Sequence, residues 1–304
     1  MFSTVHRFYA MASECTVHLC GETDEKVERV IAAAEHEVRR IEARYSRYRS
    51  DSELSRINKV AATGGSIDVD EETAGLIAYA KACFIKSDNA FDITSGLLRT
   101  VWDFSASRLP EQSMIDAVLP FIGLDKVTLV NGRLHFCKAG MEIDFGGFGK
   151  EYAADRAAEV CAGFGAQHGF IDLGGDIRLI GPQPGGLPWR IGIRHPREAN
   201  KLTAEIQLLS GAIATSGDYE RFIEVNGRRY CHILDPQTGW SARGLSSVTV
   251  ISDHCLVAGS LSTAGMLKGK KGLAWLQSLG VRHIVIDEDG RYSGTEPPLL
   301  KQYS

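Results

Sequence analysis

Between residues 24 and 45, Val27, Val30, Ile31, Ala34, Val38 and Ile41 recur at spacings of three and four. That stripe predicts an amphipathic helix. A polar loop is expected after it, and residues 71–87 then repeat the helical pattern. Further helices are expected over 151–164, 255–268 and 271–279. The alternating run CTVHLC (15–20) predicts a strand, as do 170–173, 177–181, 189–194, 203–209 and 246–252. Asn131-Gly132, Asn226-Gly227 and Asp289-Gly290 each interrupt a β-rich run, which predicts hairpins over 125–137, 221–234 and 285–294.

Strands joined by hairpins and interleaved with a few long helices point to an α+β layer fold with a mixed or antiparallel sheet, not a doubly wound parallel one. No repeat of 20–50 residues stands out. GPQPGGLP (181–188) is the only stretch dense in proline and glycine, and it suits a surface loop. Residues 1–304 are therefore expected to form a single compact domain.

Composition narrows the class of function. The 304 residues are 44% hydrophobic with a net charge of −4, and no basic run offers a nucleic-acid footprint. The seven cysteines are scattered without a CxxC pair, so neither a zinc site of the usual spacing nor a disulfide framework is expected. No run of about 18 apolar residues predicts a membrane span. His6 and Arg7 interrupt what would be the core of a signal peptide, which leaves a cytoplasmic protein as the default.

Candidate chemistry lies in four stretches. In DFGGFGKEYAADRA (144–157) the glycines allow a tight turn before a helix expected near Glu151, and Lys150 adds a positive charge. The spacing is neither Walker A nor the Rossmann fingerprint, so a phosphate cradle and a packing turn both remain open. FIDLGGDIRLIG (170–181) ends a strand in a second Gly-Gly turn followed by Asp176. ATSGD (214–218) is a wall of small residues where Thr215 or Ser216 is placed to bond a ligand. HILDPQTG (232–239) sets His232 three residues from Asp235, a proton-transfer residue beside a carboxylate. In CLVAGSLSTAGMLKG (255–269) small residues line one side of a helix, the pattern of a close-packing face.

Taken in order, these stretches resemble the ApbE-type family, the FAD:protein FMN transferases, over nearly the whole chain. The resemblance rests on MASECTVHL (11–19), YSRYRSDSELSRIN (45–58), FDITSGLL (91–98), D-x-G-G-x-x-K-x-Y-A-x-D (144–155), LGGD (173–176), ATSGDY (214–219), H-I-x-D-P-x-T-G (232–239) and LSTA (261–264). It implies cleavage of FAD with magnesium on its pyrophosphate, release of AMP, and attachment of FMN through a phosphoester to a threonine or serine of an acceptor protein. It also implies that Met11 and Tyr48 lie near the flavin. Gly146, Gly147, Lys150, Asp155, Gly174, Gly175, Asp176, Ser216 and Ile233 would then serve the nucleotide and its phosphates. His232 would move the proton, oriented by Asp235, and a backbone carbonyl near Gly147 together with Thr263 would hold the metal.

The chain departs from the family pattern at three places. Gly259 stands where the family carries a metal-binding aspartate, Glu151 stands where a glycine usually follows the lysine, and Ala12 replaces the glycine of M-G-[ST]. Glu151 favours the helix dipole but sits awkwardly beside a phosphate. Gly259 opens two other readings: a hydrolase that splits FAD to FMN and AMP, and a flavin-binding or storage protein that has lost the metal.

Overall fold

The computed structural model describes residues 2–21, 23–106, 108–198 and 200–296. The ends of the 1–304 span thus lie outside the described residues. The strands are β1 (Phe2–Ala10), β2 (Ser13–Gly21), β3 (Gly65–Asp68), β4 (Val127–Val130), β5 (Arg133–Phe136), β6 (His168–Leu173), β7 (Asp176–Gly181), β8 (Trp189–Arg194), β9 (Leu202–Leu208), β10 (Ala212–Gly217), β11 (Phe222–Val225), β12 (Arg228–Cys231), β13 (Leu245–Ser252), β14 (Arg282–Asp287) and β15 (Tyr292–Gly294). The helices are α1 (Asp24–Tyr45), α2 (Glu53–Thr63), α3 (Glu71–Lys86), α4 (Gln112–Val118), α5 (Gly149–Gly163), α6 (Cys255–Leu267) and α7 (Gly272–Ser278).

Eight strands form the main sheet in the order β1-β2-β6-β7-β10-β13-β14-β15. Every neighbouring pair in it is antiparallel. Strict alternation on β2 turns Cys15, Val17 and Leu19 toward α1 and α5, where they join the helical stripe Val27, Val30, Ile31, Ala34, Val38 and Ile41 in one core. Ala153, Ala154, Ala157 and Ala158 give α5 a thin face, so it sits close to its neighbours.

Farther along the sheet, α6 packs Ala258 and Met266 against Ala214, Val248 and Val250. The β8–β9 hairpin covers the opposite face through Ile193, Ala204, Ile206 and Leu208, which meet Ile213, Ile251 and Ile284. With both faces covered, β13 reads LSSVTVIS and is buried at every residue but its last. The hairpins expected around Asn131 and Asn226 are present, with positive φ at both residues of each Asn-Gly pair.

Five elements escaped the sequence pattern, β3 and α4 among them. The loop expected after residue 45 contains α2, capped by Ser52, whose hydroxyl accepts from the Ser55 amide at 3.0 Å. β1 forms an edge of the sheet with Phe2, Val5 and Tyr9 exposed, so it lacks a clean apolar alternation. The small-residue wall 214–218 belongs largely to β10, a central strand.

Candidate active site

Loops from one end of the sheet converge on a cleft of about 830 Å3, within the range typical of small-molecule and cofactor sites. The turn between β1 and β2 brings Met11 to it, the stretch before α2 brings Arg47 and Tyr48, and the start of α5 brings Gly146, Gly147, Lys150 and Glu151. Gly174 and Asp176 approach from the β6–β7 turn, Thr215 and Ser216 from β10, Thr263 from α6, and His232 and Ile233 from the chain after β12. Of the residues singled out in the sequence, these line the cleft together.

Gly174 has φ +68°, and a Cβ there would come 2.8 Å from the Cβ of Ser13. Only glycine lets the β6–β7 turn lie this close to the first hairpin. In that hairpin Met11 and Ala12 both take positive φ, 53° and 58°. Glycine adopts this left-handed conformation at the least cost, so alanine at position 12 carries strain.

α5 begins at Gly149, two residues before the expected start, and has no side-chain cap. Lys150 forms an ion pair with Asp176 in the cleft wall. Burial works against the Lys150 ammonium, but the charges of Glu151 and Asp176 outweigh it and hold its pKa well above the usual lysine value. Burial pushes the Glu151 carboxyl up to about 8, with Asp176 reinforcing and Lys150 opposing. The Glu151 Oε2 atom is buried and has no hydrogen-bond partner.

Across the cleft, the Nδ1 of His232 lies 3.2 Å from the carbonyl oxygen of Arg221, and the His232 amide donates to the same oxygen at 2.9 Å. A carbonyl only accepts, so the neutral ring carries its proton on Nδ1 and keeps Nε2 as a proton acceptor. The ring reaches solvent through the cleft, yet the surrounding atoms crowd it. That desolvation lowers its pKa, the Arg221 carbonyl opposes the shift, and the Arg221 charge adds to it.

On the floor, Ser216 Oγ meets Ser262 Oγ at 2.8 Å and Thr263 Oγ1 at 3.0 Å, tying β10 to α6. At the mouth, Tyr48 is 80% exposed and its ring lies 5.0 Å from the Arg47 guanidinium. An aromatic ring this open offers a face for a planar ligand.

Three assignments are corrected by the geometry. Asp155 does not line the cleft: its carboxylate accepts from the Cys255 and Leu256 amides at 2.8 and 2.9 Å, capping α6 from a neighbouring helix. Asp235 does not touch His232. It accepts from the Gln237 amide at 2.9 Å and the Thr238 hydroxyl at 3.0 Å, closing its own turn before Pro236 can redirect the chain. Gly175 (φ +95°) donates to Asp172 at 2.7 Å and turns away, leaving only Gly174 at the cleft.

The cleft is also lined by charged residues not singled out from the sequence, Arg47 and Asp144 among them. Arg47 pairs with Asp144, and both line the cavity. Each lies inside a motif of the resemblance, YSRYRS and DFGG, so the signal was a charge of each sign in those stretches. Among the described residues, no three His, Cys, Asp or Glu side chains converge as a metal cage. A cation here would draw on hydroxyl, carbonyl and ligand oxygens as well as carboxylate.

Fold and site together define an α+β protein with an antiparallel sheet and a cleft built from glycine turns, charged side chains and an imidazole. The family described as the ApbE family matches residues 11–285, and the chain belongs to it. It is 30% identical to a protein of Haemophilus influenzae named FAD:protein FMN transferase, over 82% of this chain and 74% of that one. A Vibrio cholerae protein of the same name is 32% identical, over 81% and 76%. The crystal structure of the ApbE protein from Thermotoga maritima superposes with a TM-score of 0.89 at 35% identity, covering 97% of each chain. The apo form of the flavinyl transferase ApbE from Pseudomonas stutzeri gives 0.86 at 30% identity, over 97% of this chain and 95% of that one.

Proposed function

We propose that this protein is an FAD:protein FMN transferase whose proton acceptor is Nε2 of His232. The observation that carries the residue assignment is the His232–Arg221 contact, which fixes the imidazole tautomer with its basic nitrogen available at the cleft. Family membership and the shared name of the relatives carry the reaction. An acceptor threonine or serine oxygen forms a bond to the FMN phosphorus of the FAD pyrophosphate. The bond from that phosphorus to the AMP oxygen breaks, AMP leaves with the electron pair, and the hydroxyl proton goes to Nε2.

Lys150 and the Gly146-Gly147 turn suit the phosphates, while Met11 and Tyr48 suit the isoalloxazine ring. The Gly147 carbonyl and the Thr263 hydroxyl are part of the set that would hold magnesium, and the buried Glu151 oxygen without a hydrogen-bond partner supports that reading. Bound magnesium would neutralise charge on the pyrophosphate. Residues 1–304 are taken as one domain, supported by a sheet whose strands run from Phe2 to Gly294. A cytoplasmic setting is part of the same reading, in keeping with seven cysteines scattered without the spacing of a disulfide framework. No helix among the described residues is long and apolar enough to cross a membrane.

The relatives favour neither the hydrolase nor the storage protein. Incubation with FAD, magnesium and a threonine-containing acceptor peptide tests the reading by mass spectrometry. FMN-modified peptide plus an equal amount of AMP is expected. AMP without modified peptide would identify a hydrolase, and unchanged FAD would identify a binder.

A further inference from the structure

Two departures from the family pattern meet in space. Gly259 sits in α6 one turn before Thr263, so both lie on one face of the helix. A Cβ built on Gly259 would come 2.4 Å from Oε1 of Glu151, 2.5 Å from its Cγ and 2.7 Å from its Cδ. Contacts below 3.0 Å are not sustained, so the side chain of Glu151 occupies the room that a residue at 259 would need. Glycine at 259 is what admits the Glu151 carboxylate, which reaches the same spot from the opposite helix.

We infer that Glu151 on α5 is the carboxylate ligand of the divalent cation, relocated from position 259 of α6. Glu151 is 6% exposed, it lines the cleft with Gly147 and Thr263, and its Oε2 has no partner. The nearest ammonium, Lys150, is held by Asp176 instead. A buried carboxyl oxygen with no partner is costly to leave unsatisfied, and a bound cation would supply that partner. Magnesium prefers carboxylate oxygen, and here that oxygen would join the Thr263 hydroxyl and the Gly147 carbonyl. The exchange conserves the charge of the site while moving its origin from one helix to the other. It rests on the transferase reading for the presence of FAD, whose pyrophosphate would complete the coordination.

Manganese serves as a spectroscopic probe: the free ion is titrated by electron paramagnetic resonance against full-length protein saturated with FAD. FAD affinity is followed separately by flavin fluorescence in EDTA, and folding by thermal melting. Glu151→Gln is expected to weaken manganese binding by about tenfold or more while still binding FAD in EDTA. The double variant Glu151→Gly with Gly259→Asp, which rebuilds the family arrangement, is expected to recover the affinity. Gly259→Asp alone is expected to melt lower than wild type and to bind manganese no more tightly, because its side chain collides with Glu151.

Wild-type manganese affinity in Glu151→Gln overturns the inference. So does a folded double variant that binds no better than Glu151→Gln. A wild-type protein that binds no FAD defeats the transferase reading itself, whereas FAD binding with manganese affinity indifferent to Glu151 defeats only this inference.

Discussion

The ring Nδ1 of His232 and the carbonyl oxygen of Arg221 face each other at 3.2 Å, and this contact sets which nitrogen can take a proton. Desolvation in the cleft lowers the His232 pKa below its ordinary 6.5. The neutral, basic form therefore persists to lower pH than in a free histidine. The acidic limb of the transfer rate is expected to have its midpoint below pH 6.5, measured by FMN transfer to an acceptor peptide. His232→Ala should remove that limb and slow transfer by about 10²–10⁴-fold. The same shift bears on stability. Below pH 6.5 the unfolded chain binds more protons at this residue than the folded one, so its contribution is lost as pH falls through that range.

Asp155 holds the first turn of α6, and α6 carries Gly259 and Thr263. Asp155→Ala leaves the Cys255 and Leu256 amides without their acceptor and Arg178 without its partner at 3.2 Å. A loss of about 3 kcal/mol is expected in chemical denaturation, from two stranded amides and a broken buried charge pair. Retention of wild-type stability would show that α6 docks without this cap.

Asp235 closes the turn after His232 through Gln237 and Thr238 and makes no contact with the imidazole. Asp235→Asn is therefore expected to leave the pH midpoint of transfer where wild type has it, at a stability cost of about 1 kcal/mol or less. A shifted midpoint would restore Asp235 as the partner that orients His232.

Ala12 occupies a left-handed backbone conformation beside Met11, with φ 58°. Ala12→Gly relieves the strain but adds freedom to the unfolded chain, and the two effects leave a net gain of about 0.5–1 kcal/mol. A higher melting temperature checks this, and a lower one would mean that the alanine methyl packs usefully.

Much of the architecture was legible because its signals are local. The stripe from Val27 to Ile41 and the Asn-Gly turns report their own surroundings, and both appear as expected. β1 was not legible because an edge strand needs no apolar alternation. β10 was not, because Ala212, Ala214 and Gly217 owe their strand conformation to neighbours on either side. At the site, quoted motifs located Met11, Tyr48, Gly147, Lys150, His232 and Thr263 on one cleft. They did not reveal that Asp155 and Asp235 face their own amides and turns, since one-dimensional spacing does not say where a carboxylate points. Nor did sequence order show that Glu151 and Gly259, more than a hundred residues apart, share one volume.

β13 is covered by α6 on one face and the β8–β9 hairpin on the other, with β10 and β14 along its two edges. Its amides at Val248 and Val250 have no route to solvent through fraying, so they are expected to exchange hydrogen only when the whole sheet opens. β1 and β15 lie at the sheet's margins and are expected to exchange through local opening. The protein thus contains an internal gauge of its global unfolding free energy, placed directly behind the helix that lines the cleft. Ligand binding at the cleft registers on that gauge as slower exchange deep in the sheet, even where no contact with the ligand exists.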